Sequence, residues 1–293
     1  MSSLFVLGTL LVIGHLFTAS GEVKEVGRLH YWTHVLYARL EPLVIRAADF
    51  MVSRKFFTAN RWGRGLLWLT GKLNLLLPHG VVIPTSAAIR IVRDVEKHGG
   101  SGHIAVGSCV CQRNLNRYRE PTIKDMTLWY GAEIYLDHFG DDYRLISAEE
   151  AVTMLKDFHR LGLVPVAEFL MQSRRWFFVL CNCDAEVCCP TRIYNAVGCS
   201  LYPGPFRAVR DPARCLGPAE CGACLSRCHF GANRVEDGKV GLDPARCLGC
   251  GLCVTTCRGK ARRLEPRPGY RGRLLPWEYE RDDARDEAQG GEK

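Results

Sequence analysis

Asp211-Pro-Ala-Arg-Cys215-Leu-Gly-Pro-Ala-Glu-Cys221-Gly-Ala-Cys224-Leu-Ser-Arg-Cys228 is followed by Asp243-Pro-Ala-Arg-Cys247-Leu-Gly-Cys250-Gly-Leu-Cys253-Val-Thr-Thr-Cys257. The two phrases are copies of one another. Cys221, Cys224 and Cys228 each recur 29 positions on, at Cys250, Cys253 and Cys257, whereas Cys215 recurs after 32, at Cys247. The first copy therefore carries three added residues, Pro218-Ala-Glu220, within its loop. Eight thiols in two sets of four are what two cubane iron–sulfur clusters require, one sulfur for each iron. Zinc sites favour two separated C-x2-C pairs instead, and disulfides belong to oxidising compartments. Three closely spaced cysteines with a fourth after three residues point to iron and sulfide. Gly249 and Gly251 let the second loop bend tightly around such a group.

The C-x2-C-x2-C-x3-C run from Cys247 to Cys257 resembles the bacterial two-cluster ferredoxin module, and the likeness covers about residues 207–263. The fourth cysteine lies too far along the following turn to return to its own cube. The resemblance implies that it ligates the other one. Cys215, Cys221, Cys224 and Cys257 would then hold one 4Fe–4S cluster, and Cys247, Cys250, Cys253 and Cys228 the second. Where that family usually has proline after the fourth cysteine, His229 and Arg258 stand here. Arg258 and Lys260 bring positive charge close to a cluster and are expected to raise its potential.

The chain of 293 residues is too long for that module alone, and 47% hydrophobic residues suffice for a further core. A formal charge of +8 suits an acidic partner or an anionic membrane surface. No nucleic-acid reader motif is present, and no nucleic acid is expected as a partner. The expected class is α+β: an N-terminal hydrophobic helix, a mixed α/β middle domain and a C-terminal pseudo-twofold ferredoxin-like module. The boundaries fall at 1–21 (hydrophobic segment), 22–84 (helical, basic-aromatic), 85–206 (cysteine-containing), 207–263 (two clusters) and 264–293 (charged flexible tail).

Leu4 to Phe17 is nearly all apolar, and no Asp, Glu, Lys or Arg occurs before Glu22. The run is marginal for a spanning helix, which needs ~20 apolar residues. It lacks the leading positive charge of a secretory signal. Lys24 and Arg28 follow it, which gives an anchor at residues 4–19 with the body on the cytoplasmic side. A signal peptide, a buried helix or a misplaced start are the other readings. Arg54-Lys-Phe-Phe57, Arg61-Trp62-Gly-Arg64 and Trp68 interleave cations with aromatics. Such a stretch suits lipid headgroups or an amphipathic helix packed on the body. The run Leu66–Leu77, broken by Lys72 and Asn74, is not a second span. His30 and His34 lie one helical turn apart, either as an ordinary helix face or as haem or metal ligands.

In the middle region a helix runs from Thr85 or Ser86 to about Lys97, and His103–Ser108 reads as a buried strand ending in Cys109-Val-Cys111. Asp125–His138 reads as a helix, and Ser147-Ala-Glu-Glu150 as a capping box opening another to Arg160. Leu163–Leu170 and Trp176–Leu180 read as strands, the second delivering Cys181-Asn-Cys183, with Cys188-Cys189-Pro190 beyond. The same helix and strand pair also looks like part of a winged helix, although no basic recognition helix precedes it. If the two cysteine-bearing strands are neighbours, Cys109, Cys111, Cys181 and Cys183 converge. Cys188 and Cys189 then join or replace some of them in a third iron–sulfur or other metal site. Buried, inert thiols are the opposing reading, and Cys199 completes the seven.

Over about residues 80–263 the pattern resembles a group of prokaryotic 4Fe–4S-binding proteins. In these a domain with an early C-x-C and a later cysteine-dense stretch precedes a two-cluster module. The expected function is single-electron transfer through two 4Fe–4S clusters, as a carrier or as the electron-transfer subunit of a larger oxidoreductase. Its partner would be a reductase or dehydrogenase, with membrane contact through the N-terminus. The competing expectations are a metalloenzyme with its centre at the middle-domain cysteines, and an iron–sulfur redox sensor. No flavin, nicotinamide or P-loop fingerprint is present.

Overall fold

The structure, a computed structural model, describes residues 28–75, 79–99, 101–169 and 179–270. The anchor expected at 4–19 and the end of the tail lie outside these residues. Among the described residues no helix is long and apolar enough to cross a membrane.

The described residues open with α1 (Arg28–Val52), α2 (Lys55–Ala59) and α3 (Arg61–Asn74). Asn60 caps α3 by accepting from the Trp62 amide at 2.9 Å. The basic-aromatic stretch lies here. Trp62 and Trp68 are exposed, with Arg61 over the Trp62 ring and Lys72 over the Trp68 ring. His34 is buried against Tyr130, with its Nε2 2.9 Å from the phenolic oxygen, an ordinary core contact. The side chain of His30 lies outside the described set.

The following elements are β1 (His79–Val82), α4 (Thr85–Gly99), β2 (Ile104–Ser108), α5 (Val110–Leu115), β3 (Ile123–Leu128), α6 (Tyr130–Phe139), β4 (Tyr143–Leu145), α7 (Ala148–Leu161), β5 (Val164–Phe169), β6 (Val179–Cys183) and α8 (Cys189–Val197). The strands form one antiparallel sheet in the order β1-β5-β6-β3-β2-β4. Alternation along the strands sends Ile104, Val106, Met126, Leu128, Leu180 and Ala167 to one face, where α4 and α7 close the main core. The other face carries Asp125, Cys181 and Cys183 under α1, α6 and α8.

Three expectations change here. Asp125–His138 is not one helix: Asp125–Leu128 alternates and pairs with β2 and β6, and Trp129 turns the chain at φ 53° before α6 begins. Sheet pairing on both sides outweighs helical propensity in this run. Cys181 and Cys183 lie within β6, not beyond its end, and two residues apart they share a face. Strands β5 and β6 sit inside the sheet and not as a projecting wing, which removes the winged-helix reading. Half of the capping box forms, with Ser147 Oγ accepting from the Glu150 amide at 3.1 Å, while the Glu150 carboxylate accepts from Arg144 instead of reaching back.

Beyond the sheet come β7 (Phe206–Arg210), α9 (Ala223–Ser226), β8 (Asn233–Glu236), β9 (Lys239–Leu242), α10 (Leu252–Thr255) and β10 (Arg262–Pro266). Strand, short helix, strand thus occurs twice, with β7 paired to β10 and β8 to β9. Leu264–Pro266, assigned above to the tail, belong to β10, and Arg267 donates to the Gly204, Phe206 and Cys247 carbonyls. Contacts at the end of α7 are among those that fasten this part to the sheet domain. Arg227 donates to the Arg160 and His159 carbonyls at the end of α7. The His159 ring bridges Thr85 Oγ1 (2.9 Å) and Thr255 Oγ1 (2.7 Å).

Candidate metal centres

Cys215, Cys221, Cys224 and Cys257 line one cavity together with Arg210 and Arg262. The chain reaches this arrangement because Gly217 (φ 84°) and Gly222 (φ 65°) turn the first loop back on itself. Arg262 opens β10 with its side chain inward and is 6% exposed, while its neighbour Arg263 is largely exposed and pairs with Glu265. The Arg262 Nη2 donates to the Val240 and Gly241 carbonyls at 3.0 and 3.3 Å. Its buried Nη1 has no hydrogen-bond partner. An orphaned, buried guanidinium nitrogen is costly, and in a wall shared with four thiols it suits an anionic group. Burial pushes the Cys224 thiol up and the Arg262 charge opposes this. The Val240 amide holds the Cys215 thiol below its usual range.

The second set mirrors the first. Cys228 lies within electrostatic range of Cys250 and Cys253, and packs with Cys247 and Cys253 in one apolar cluster. Burial raises Cys253 to about 12. The Cys228 sulfur accepts from the Ala232 amide (3.3 Å) and the Cys257 sulfur from the Ala261 amide (3.2 Å), the same four-residue step in each copy. Gly249 sits at φ 88°, and a Cβ there would stand 2.1 Å from the Phe206 carbonyl oxygen. Only glycine fits that approach. All fifteen cysteines are free thiols.

The two departures from the ferredoxin pattern meet in space. Arg258 Nη1 donates to the Glu220 carbonyl at 3.0 Å, so the residue at the usual proline position ties down the inserted loop. Arg258 and Lys260 are both exposed, where solvent screens their charge. The buried cation at this site is Arg262, which sequence reading missed. Its signal was the alternation of β10, in which adjacent arginines must face opposite ways.

The other cysteines gather on the second face of the sheet. Strands β2 and β6 are not neighbours, because β3 lies between them. Helix α5 instead carries Cys111 across, and α8 brings Cys188. Cys181, Cys183 and Cys188 pack in one apolar cluster, and Cys111 packs with Cys189 in the next, within reach of Cys188. Cys109 sits just before α5, within electrostatic range of Lys124 and Cys188. Cys199 is apart, donating to the Trp68 carbonyl at 3.3 Å. Hydrogen bonds from Cys111, Cys183 and Thr191 hold the Cys188 thiol below its usual range.

Beside them lie carboxyls that the sequence did not single out. Asp125 accepts from Tyr143 Oη (2.6 Å) and Cys181 Sγ (3.2 Å), and Glu41 accepts from Tyr135 Oη (3.1 Å). Burial first, then Asp125, raises Glu41 from 4.5 to about 8. The folded chain keeps this proton where an unfolded chain has released it. Stability therefore falls as pH rises from about 4.5 to about 8. Glu41→Gln is expected to remove this group's share of the decline, making the variant more stable than the parent at pH 8 by on the order of 4 kcal/mol, with little difference at pH 4.5. Urea unfolding at the two values checks it.

No family profile and no solved structure matches the chain. Over 47 residues, 16% of its length, it is 45% identical to the thiosulfate reductase electron transfer subunit PhsB of Salmonella typhi. The likeness spans about a quarter (24%) of that relative's length.

Proposed function

We propose that the chain is an iron–sulfur electron-transfer protein, or the electron-transfer subunit of a larger oxidoreductase, with a bacterial ferredoxin-like module holding two 4Fe–4S clusters. Cys215, Cys221, Cys224 and Cys257 would hold the first, and Cys247, Cys250, Cys253 and Cys228 the second. The observation that carries the reading is the cavity that gathers Cys257 with three cysteines of the other copy around an unpartnered guanidinium nitrogen. The partial likeness to a subunit named for electron transfer supports it.

Each bound cluster supplies one-electron redox chemistry. The chain's own groups set the direction in which that chemistry leans. The Ala208, Ala232 and Ala261 amides donate to the Cys247, Cys228 and Cys257 sulfurs, and Arg262 adds a buried positive charge. Both favour the more anionic, reduced form. Cys215, Cys221 and Cys257 are half-exposed, so a redox partner, a reductase or dehydrogenase, meets the first set of cysteines at the surface.

Chain purified without oxygen is expected to contain at least about 8 iron and as much acid-labile sulfide, and to take up electrons from a partner without turning over a substrate alone. Colourless, zinc-bearing protein lacking labile sulfide overturns the reading.

A further inference from the structure

The linked thiols of the sheet domain have no part in the two-cluster reading. We propose that Cys111, Cys181, Cys183 and Cys188 hold a third 4Fe–4S cluster, seated against the second set of C-terminal cysteines. Two stretches distant in sequence deliver them: α5, and the run from β6 to the start of α8. Cys183 and Cys188 are 8% and 5% exposed, while Cys111 and Cys181 are half-buried. Cys189 donates to the Ile45 carbonyl and packs with Val52, Leu67 and Cys111 in the neighbouring apolar cluster.

The surroundings suit bound thiolates. Lys124 is 1% exposed, and its charge faces Cys109 and Cys183 while Nζ pairs with Asp184 at 2.9 Å. Cys188 stands at the N-terminal end of α8, where the Thr191 hydroxyl donates to its sulfur at 3.3 Å. A single ion fits less well than a cluster. Among the described residues no three Cys, His, Asp or Glu donors are placed to share one ion. The eight C-terminal cysteines meet the same description, because in a cubane each sulfur binds a different iron.

The position gives the centre a use. Cys183 and Cys188 share one apolar cluster with Phe230, Leu248, Leu252 and Cys250. His229, next to Cys228, lies within electrostatic reach of Cys188. Packed side chains thus join this group to the second C-terminal set without intervening solvent. One electron leaving that set, which is oxidised by one, reduces the sheet-domain centre by one.

The test compares iron and labile sulfide in the anaerobically reconstituted full chain and in Cys183→Ala/Cys188→Ala. The expected contents are about 12 and about 8 iron per chain, with the electron-spin signals of the C-terminal clusters unchanged. The difference of about 4 carries the test whatever the C-terminal cysteines hold, so failure here and failure of the two-cluster reading are separable. Equal iron in both chains overturns the proposal, as does a loss confined to zinc. Should circular dichroism show the alanine pair unfolded, the Cys183→Ser/Cys188→Ser pair, read in the same way, decides.

Discussion

Replacing Cys257 by alanine is expected to strip the cluster held by the other copy's cysteines, and to halve the C-terminal module's iron from about 8 to about 4 per chain. The reasoning is spatial. Cys257 lies in the second phrase, yet it lines the cavity with Cys215, Cys221 and Cys224. Its own neighbours, Cys250 and Cys253, face Cys228. A second substitution reads the crossing directly. Cys221→Ala added to Cys257→Ala should cost no further iron, because both touch the same cluster. Cys250→Ala added to Cys257→Ala should abolish both. The reverse pattern would assign each phrase its own cluster and end the crossed arrangement.

Arg262→Gln is expected to lower the potential of the first cluster by on the order of 100 mV. A unit charge ~5 Å away at an effective dielectric near 20 is worth about 3 kcal/mol, and one electron converts this at 59 mV per tenfold change. Arg262→Lys keeps the charge and should retain most of the potential, even though it gives up the bonds to Val240 and Gly241. Arg258→Glu should also lower the potential, but by much less, because Arg258 is exposed and screened. Potentiometry on the three variants settles the order. Equal shifts for Arg258 and Arg262 would show that burial does not govern the effect.

The sequence exposed the cysteine phrases because their ligand spacing is local, written in consecutive residues. It also exposed the helix opened by Ser147, whose cap needs only four positions. It found the helix from Tyr130 on but misread Asp125–Leu128, because strand β3 is stabilised by partners far along the chain, and pairing of that kind leaves no local mark. It left open whether the two C-x-C pairs sit on adjacent strands; β3 separates them and α5 supplies the bridge. Glu41 and Arg262 were invisible for the same reason. Each looks like a surface charge until the elements packed around it are known.

The clasp formed by Arg227 at the end of α7, with the His159 ring set between Thr85 and Thr255, has a kinetic consequence. Modules that must swing between donor and acceptor exchange electrons at a pace limited by their tumbling. Here the two halves are bolted together, so the gap an electron must cross inside the molecule is frozen at folding. Internal transfer should then be indifferent to solvent viscosity, and only the encounter with an outside partner should slow in glycerol.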